Sequence, residues 1–148
     1  MVTVKEVEKG RLESLVRVSY NQDYEGFDKY HIEKFDFETS VQKTLSMVEE
    51  MGEQVNLKYY EVQFDNKAIG YFIIFKECLY SFAIAKNYRI KSGVLKEWWA
   101  LVKIMLERIF VCILYRNNTR AISFLQRMGM KETEGNFEDK NLITLVNI

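Results

Sequence analysis

The chain has 148 residues, 21 basic against 21 acidic side chains, one His, two Cys and no Pro, and 48% of it is hydrophobic. A length near the commonest domain size buries about two-thirds of the unfolded surface, so one globular domain over 1–148 is expected, with no disulfide or structural metal needed. The balanced charge removes any overall pull toward nucleic acid or an anionic membrane, and the longest apolar runs, Ala68 to Phe75 and Ile109 to Tyr115, fall far short of the roughly 20 residues that span a bilayer.

The first residues, Met1 to Val7, alternate polar and apolar and lack the apolar core of a signal peptide, which predicts a strand over Val2 to Val7 and a cytoplasmic chain. Leu12, Leu15, Val16 and Ser19 recur at helical spacing. The stretch from Asn21 to Asp36 is the least patterned and reads as one long loop. With Tyr20 it carries an aromatic set, Tyr24, Phe27 and Tyr30, of the kind that anchors a protein partner or a second copy of the chain. His31 lies there too, and one imidazole without a second nitrogen or sulfur ligand does not make a metal site. A helix from Thr39 to Met51 follows, with Val41, Leu45 and Val48 on one face, Glu38 and Thr39 at its start and Gly52 placed to end it.

From Leu57 the period changes to two. Tyr60, Val62 and Phe64 alternate with Glu61, Gln63 and Asp65, and Asp65-Asn66-Lys67 turns the chain into Ala68 to Lys76, a hairpin extended by a third strand, Cys78 to Ala85. The turn Lys86 to Gly93 leads to a helix with Val94, Leu95, Trp98, Leu101, Val102, Met105 and Leu106 on one broad face. Neighbouring helical positions point about 100° apart, so Trp98 and Trp99 are not expected to face the core equally, and one of them marks a partner surface or a second packing layer. Ile109 to Tyr115 is continuously apolar, as in a strand covered on both faces, and a strand reached through a helix runs parallel to its predecessor, Cys78 to Ala85. Asn117-Asn118-Thr119 caps a short helix that Gly129 stops, and two strands, Met130 to Phe137 and Leu142 to Val146, flank a turn at Glu138 to Asn141. Cys78 and Cys112 sit in apolar runs as small hydrophobes. The order β, α, α, β, β, β, α, β, α, β, β specifies an α/β fold, a mostly antiparallel mixed sheet with helices on both faces.

That order, the basic turn before the third helix, and the segment Asn118-Thr119-Arg120-Ala121-Ile122-Ser123-Phe124-Leu125-Gln126-Arg127-Met128-Gly129-Met130 resemble the GNAT superfamily of acetyl-CoA-dependent N-acetyltransferases. The resemblance implies that Cys78 to Ala85 and Ile109 to Tyr115 splay apart, that the pantetheine arm of acetyl-CoA enters the gap, and that the following turn cradles the pyrophosphate. Such a cradle works because a helix's first turn leaves N–H groups unpaired at the positive end of its dipole. The family's pattern of Gln or Arg, two residues, Gly, one residue, Gly or Ala falls on Arg89, Ser92 and Val94. Arg89 matches; Ser92 and Val94 depart, with the branched Val94 expected to crowd the phosphate, and Gly93 offers a shifted turn. Asn118 completes the implied cofactor residues. Where many members have a thiolate-protonating Tyr this chain has Leu125, with Tyr115 as the substitute acid, and Glu61 and Glu77 are the strand carboxylates available as a base.

From Trp98 to Met130 the chain is also similar to a group of short phage proteins with a degraded acetyltransferase fold, some of them virion components. That similarity implies a non-catalytic structural or interaction protein, in a phage particle, needing no cofactor. The alternative is an active N-acetyltransferase that moves an acetyl group from acetyl-CoA to a primary amine. Nucleic-acid binding rests only on scattered basic residues, Lys86, Arg89, Lys91, Lys96, Lys103 and Arg108, with neither a net positive charge nor a base-stacking platform behind them.

Overall fold

A computed structural model describes residues 1–20, 26–27, 34–107, 109–134 and 141–147. The chain forms β1 (Val2–Val7), a 3-10 turn (Lys9–Arg11), α1 (Leu12–Tyr20), two short strands β2 (Gly26–Phe27) and β3 (Lys34–Phe35), α2 (Phe37–Gln54), β4 (Lys58–Phe64), β5 (Lys67–Phe75) and β6 (Cys78–Ile84). It continues through α3 (Lys86–Arg89), α4 (Val94–Leu106), β7 (Val111–Tyr115), α5 (Thr119–Arg127), β8 (Lys131–Thr133) and β9 (Leu142–Val146). Seven strands make one sheet in the order β1-β4-β5-β6-β7-β9-β8, antiparallel throughout except between β6 and β7. The α/β class and element order agree with the sequence reading, with β2 and β3 added inside the stretch read as a loop.

The β4–β5 hairpin turns at Asp65 and Asn66, which take φ of 49° and 68°. Two left-handed residues in succession match the strands' twist, and Asp and Asn tolerate that conformation better than most side chains. α2 begins at Phe37, two residues before Thr39: the Asp36 side chain accepts a hydrogen bond from the Thr39 N–H at 2.8 Å, which holds its carboxyl below the usual range. Glu38 is held at about 2 by the Arg17 guanidinium of α1, and Gln42 assists. Gly52 does not end α2, which runs on to Gln54. An interior glycine costs the helix about 1 kcal/mol, and the packing of Val41 and Val48 into the core carries the helix past it.

Two hydrophobic clusters lie on the two faces of the sheet. α1 and α2 cover one face over β5 and β6, through Leu15, Val16, Val41, Val48, Tyr71 and Ile73. α4 and α5 cover the other, through Val62, Phe72, Leu79, Trp98, Trp99, Phe124 and Leu125. Both tryptophans are buried in this second cluster, which excludes the partner-surface alternative and leaves the second packing layer. Trp98 packs on Phe72 and Phe82 of the sheet, Trp99 on Phe110, and both on Phe124 of α5, so α4 is enclosed on two sides and has core positions about 100° apart. Neither indole marks a partner surface. Tyr20 is likewise buried in α1. Tyr24, Tyr30 and His31, the side chain of Phe27, and residues 135–140 lie outside the described residues.

β7 is central, between β6 and β9, and parallel to β6, as the sequence predicts, but it is not covered on both faces. Cys112 and Leu114 are buried toward α4, whereas Ile113 and Tyr115 on the other face are 36% and 40% exposed. The described parts of α1 and α2 pack on β5 and β6 and stop short of β7.

Candidate functional site between β6 and β7

The decisive feature is a loss of pairing in the middle of the sheet. β6 and β7 are in register only at Cys78 with Val111 and Leu79 with Cys112, joined at the closed end by the Val111 N–H donating to the Glu77 carbonyl at 2.8 Å. From Tyr80 and Ile113 onward the two strands have no ladder between them. On their outer edges both remain fully engaged: β6 pairs with β5 from Cys78 to Ile84, and β7 with β9 along its whole length. The strands therefore diverge as a V that opens toward their C-terminal ends, and each presents backbone N–H and C=O groups to the gap. Interior backbone groups of this kind demand partners. The register shift between Ile73 and Ile74 leaves Tyr80 as an extra residue in β6, where divergence begins.

Parallel strands end on the same side of a sheet, and a helix that carries the chain back starts there. The N-termini of α4 and α5 thus flank the mouth of the V. α4 starts on Gly93, whose φ of 86° is a left-handed conformation that glycine adopts freely, and no side chain caps its first turn. Ser92 and Gly93 are exposed, Arg89 is half-buried in α3, and Lys91 lies over the rings of Tyr88 and Phe64 at 4.8 and 5.2 Å. The span Lys86–Arg89, read as plain turn, is the short helix α3. Val94 lies on the apolar face of α4, as its helical spacing predicts, rather than at the phosphate turn. Its side chain is 2% exposed and packed in the core, so it points away from the exposed turn and does not crowd it. At the second terminus, the Asn118 side chain accepts from the Ala121 N–H at 3.4 Å as the cap of α5. Arg89, Ser92, Gly93 and Asn118 are thereby brought to one end of the sheet, with Lys86, Lys96, Arg116 and Arg120 close to them in sequence.

The proposed acid and bases are not brought together. Leu125 is fully buried and has no proton to give. Tyr115 ends β7, with its ring partly exposed on the face away from α4. Glu77 is an exposed residue of the β5–β6 turn, at the closed end of the V, not on a strand. Glu61 faces inward: it is 2% exposed, accepts from Arg11 Nε at 2.8 Å and is bonded by Gln63. Burial pushes its carboxyl up, but Gln63 and Arg11 overcome this and hold it below the usual range. Glu61 is a structural ion pair on β4, two strands from the gap.

A set of hydroxyls that sequence inspection missed lies on the face of β6 opposite α4. Thr44 Oγ1 is 2.7 Å from Tyr20 Oη, which is 3.3 Å from Tyr71 Oη, which is 3.1 Å from Ser81 Oγ. Burial and the neighbouring Tyr71 push the Tyr20 phenol well above its ordinary range. Tyr80 beside it is also raised by burial. Polar residues at 71 and 81 inside apolar strands are the signal that pointed here. Among the described residues no group of three or more His, Cys, Asp or Glu is placed to hold a metal ion, and no helix is long and apolar enough to cross a membrane.

The order of strands around one diverging parallel pair can be compared with known folds. The PaiA N-acetyltransferase of Thermoplasma acidophilum, solved with coenzyme A, superposes with a TM-score of 0.61 at 16% identity, covering 99% of this chain and 98% of its own. The fold is that of the GNAT N-acetyltransferases. An acetyltransferase from Thermus thermophilus gives a TM-score of 0.65 at 15% identity over 99% and 96% of the two chains. The N-acetyltransferase PseH of Campylobacter jejuni, in complex with acetyl coenzyme A, gives 0.54 at 13% identity over 99% and 97%. No protein-family model and no curated protein matches the sequence.

Proposed function

We propose that this chain binds acetyl-CoA between β6 and β7 and transfers the acetyl group to a primary amine. The observation that carries the reading is the loss of β6–β7 pairing after Leu79 and Cys112, which opens the sheet without breaking it. An unpaired interior edge suits an extended arm with amide groups of its own, and the pantetheine of CoA has two. A pair of helix N-termini with basic residues beside them suits a diphosphate. The residues present fit that ligand: the backbone of Tyr80 to Ile84 would meet the arm, and Ser92, Gly93 and Arg89 the pyrophosphate. The burial of Val94 away from the exposed turn supports this reading. Bound there, acetyl-CoA supplies an acyl group activated as a thioester. The chain's own contributions are to align the arm along β6, to hold the phosphates on α4, and to keep the closed end of the V dry through Leu79, Cys112 and the aromatic cluster below it.

Leu125 favours a second reading, in which the cleft holds the ligand without turnover and the chain serves as an interaction component, as in a phage particle. Isothermal titration of the full chain with acetyl-CoA, followed by thiol release in the presence of amines, tests both. Micromolar binding with amine-dependent thiol release is expected. Binding without release supports the second reading, and no heat up to millimolar acetyl-CoA refutes the site.

A further inference from the structure

We infer that the hydroxyl chain Ser81–Tyr71–Tyr20–Thr44 is a proton relay for the acceptor amine, with Ser81 as its first member. This rests on the acetyl-transfer reading above. Ser81 stands on β6 two residues beyond the last one paired with β7, next to the extra residue Tyr80, so its hydroxyl is where the strands part. The chain then crosses the buried Tyr71 and Tyr20 and ends on Thr44, a partly exposed residue of α2. Successive oxygens are 3.1, 3.3 and 2.7 Å apart, and in every link either atom can donate. Each hydroxyl both donates and accepts, which a proton relay requires. Glu61, the cross-strand neighbour of Tyr71, is held by Arg11 and Gln63.

The step balances as follows. The amine nitrogen bonds to the acyl carbon, and the carbon–sulfur bond breaks with its electron pair leaving on sulfur. The proton lost by nitrogen goes to Ser81 Oγ while Ser81 passes its own to Tyr71, Tyr71 to Tyr20, Tyr20 to Thr44 and Thr44 to water. Ser81 touches the amine; Tyr71, Tyr20 and Thr44 act through it.

The test uses the full chain and its Ser81→Ala, Ser81→Thr and Tyr71→Phe variants, with acetyl-CoA and four amine probes: spermidine, tyramine, glucosamine and a short peptide with a free α-amine. Ser81→Ala and Tyr71→Phe are expected to lower kcat about 10²- to 10⁴-fold, the scale of a positioned proton acceptor, with the acetyl-CoA Kd changed less than about twofold. Ser81→Thr keeps a hydroxyl and restores kcat. A proton inventory in mixed H2O and D2O, curved for the unmodified chain, becomes linear in Tyr71→Phe. Proton NMR of the unliganded chain should show slowly exchanging hydroxyl protons with contacts between the Tyr20 and Tyr71 rings, lost in Tyr71→Phe. Unchanged kcat in both Ser81→Ala and Tyr71→Phe overturns the relay and leaves acetyl transfer standing. Absence of thiol release with all four amines overturns both.

Discussion

Removing Arg11 tests how this fold tolerates a buried charge. Glu61 is 3% exposed at its side chain and Arg11 45%, so the pair is asymmetric: the carboxylate is inside and the guanidinium half in water. Arg11→Ala leaves Glu61 ionised and buried with only the Gln63 hydrogen bond and the charge of its cross-strand neighbour Lys5, whereas Glu61→Gln leaves a neutral amide inside and returns Arg11 to solvent. A lost charge-assisted hydrogen bond costs about 1.5–3 kcal/mol, and exposure of Arg11 places the expected loss for Arg11→Ala near the middle, about 2 kcal/mol. Glu61→Gln is expected to cost under about 1 kcal/mol, as for a solvent-screened pair. The double variant should match Glu61→Gln, recovering most of the Arg11→Ala loss.

The same pair fixes a pH dependence. In the unmodified chain Glu61 has a folded pKa below its unfolded value, so its contribution is present above the unfolded range, about 4.3, and is lost as pH falls through the folded value. Without Arg11, two of the interactions that lower it are gone, and the carboxyl titrates higher than in the unmodified chain. The deficit of Arg11→Ala relative to the unmodified chain should then shrink as pH drops from 7 toward 4. Urea unfolding followed by fluorescence of the two buried tryptophans measures all four proteins. Equal costs for Arg11→Ala and Glu61→Gln, or a deficit that grows on acidification, would refute the reasoning.

Three further outcomes are expected. Gly70→Ala should destabilise by about 1–3 kcal/mol in urea, because a Cβ there meets the Ala83 carbonyl oxygen and comes within 3.0 Å of Ile84 Cα, and neither backbone atom can give way cheaply; a neutral substitution would mean that β5 and β6 are not held in this register. Val94→Gly should lose about 2–4 kcal/mol of stability through a core cavity and poor helix propensity, with no gain in acetyl-CoA affinity; tighter binding would restore the crowding argument. Gly93→Ala meets no atom within 4 Å, so its cost is the left-handed φ alone, about 1–2 kcal/mol, read from the thermal midpoint; no loss would show that the turn can adopt another conformation.

What the sequence disclosed and what it hid divide along one line. The β4–β5 hairpin, α4, and the motif from Asn118 to Gly129 were legible because each is a local pattern, set by turn sterics or helical period within a dozen residues. The direction of a side chain within a helix packed on two sides is not local. Trp98 and Trp99 share the core because Phe124 of α5 packs on both of them. The face coverage of β7 was misread for the same reason: Ile113 and Tyr115 are apolar or aromatic, but the helices that would cover them pack over β5 and β6. The hydroxyl chain joins residues 10, 51 and 24 positions apart, and only strand register and the packing of α1 on the sheet bring them within hydrogen-bond reach.

A sheet that stops pairing in its middle must be tied by other means, and the α4 tryptophans supply the tie. On one side of the V are β1, β4, β5 and β6, braced by α1 and α2; on the other are β7, β9 and β8, with no helix over that face among the described residues. The ladder linking them is two residue pairs long. Beneath the gap, Trp98 packs against Phe72 and Phe82 of the first half, Trp99 against Phe110 at the entry to β7 in the second, and the two indoles against each other and Phe124. Large aromatic areas buried across the divide replace the missing strand hydrogen bonds with contacts that do not need the strands to touch. The adjacency of two tryptophans that a free helix would point apart is thus what an open cleft over a closed core requires: one ring for each half of the sheet, on one helix.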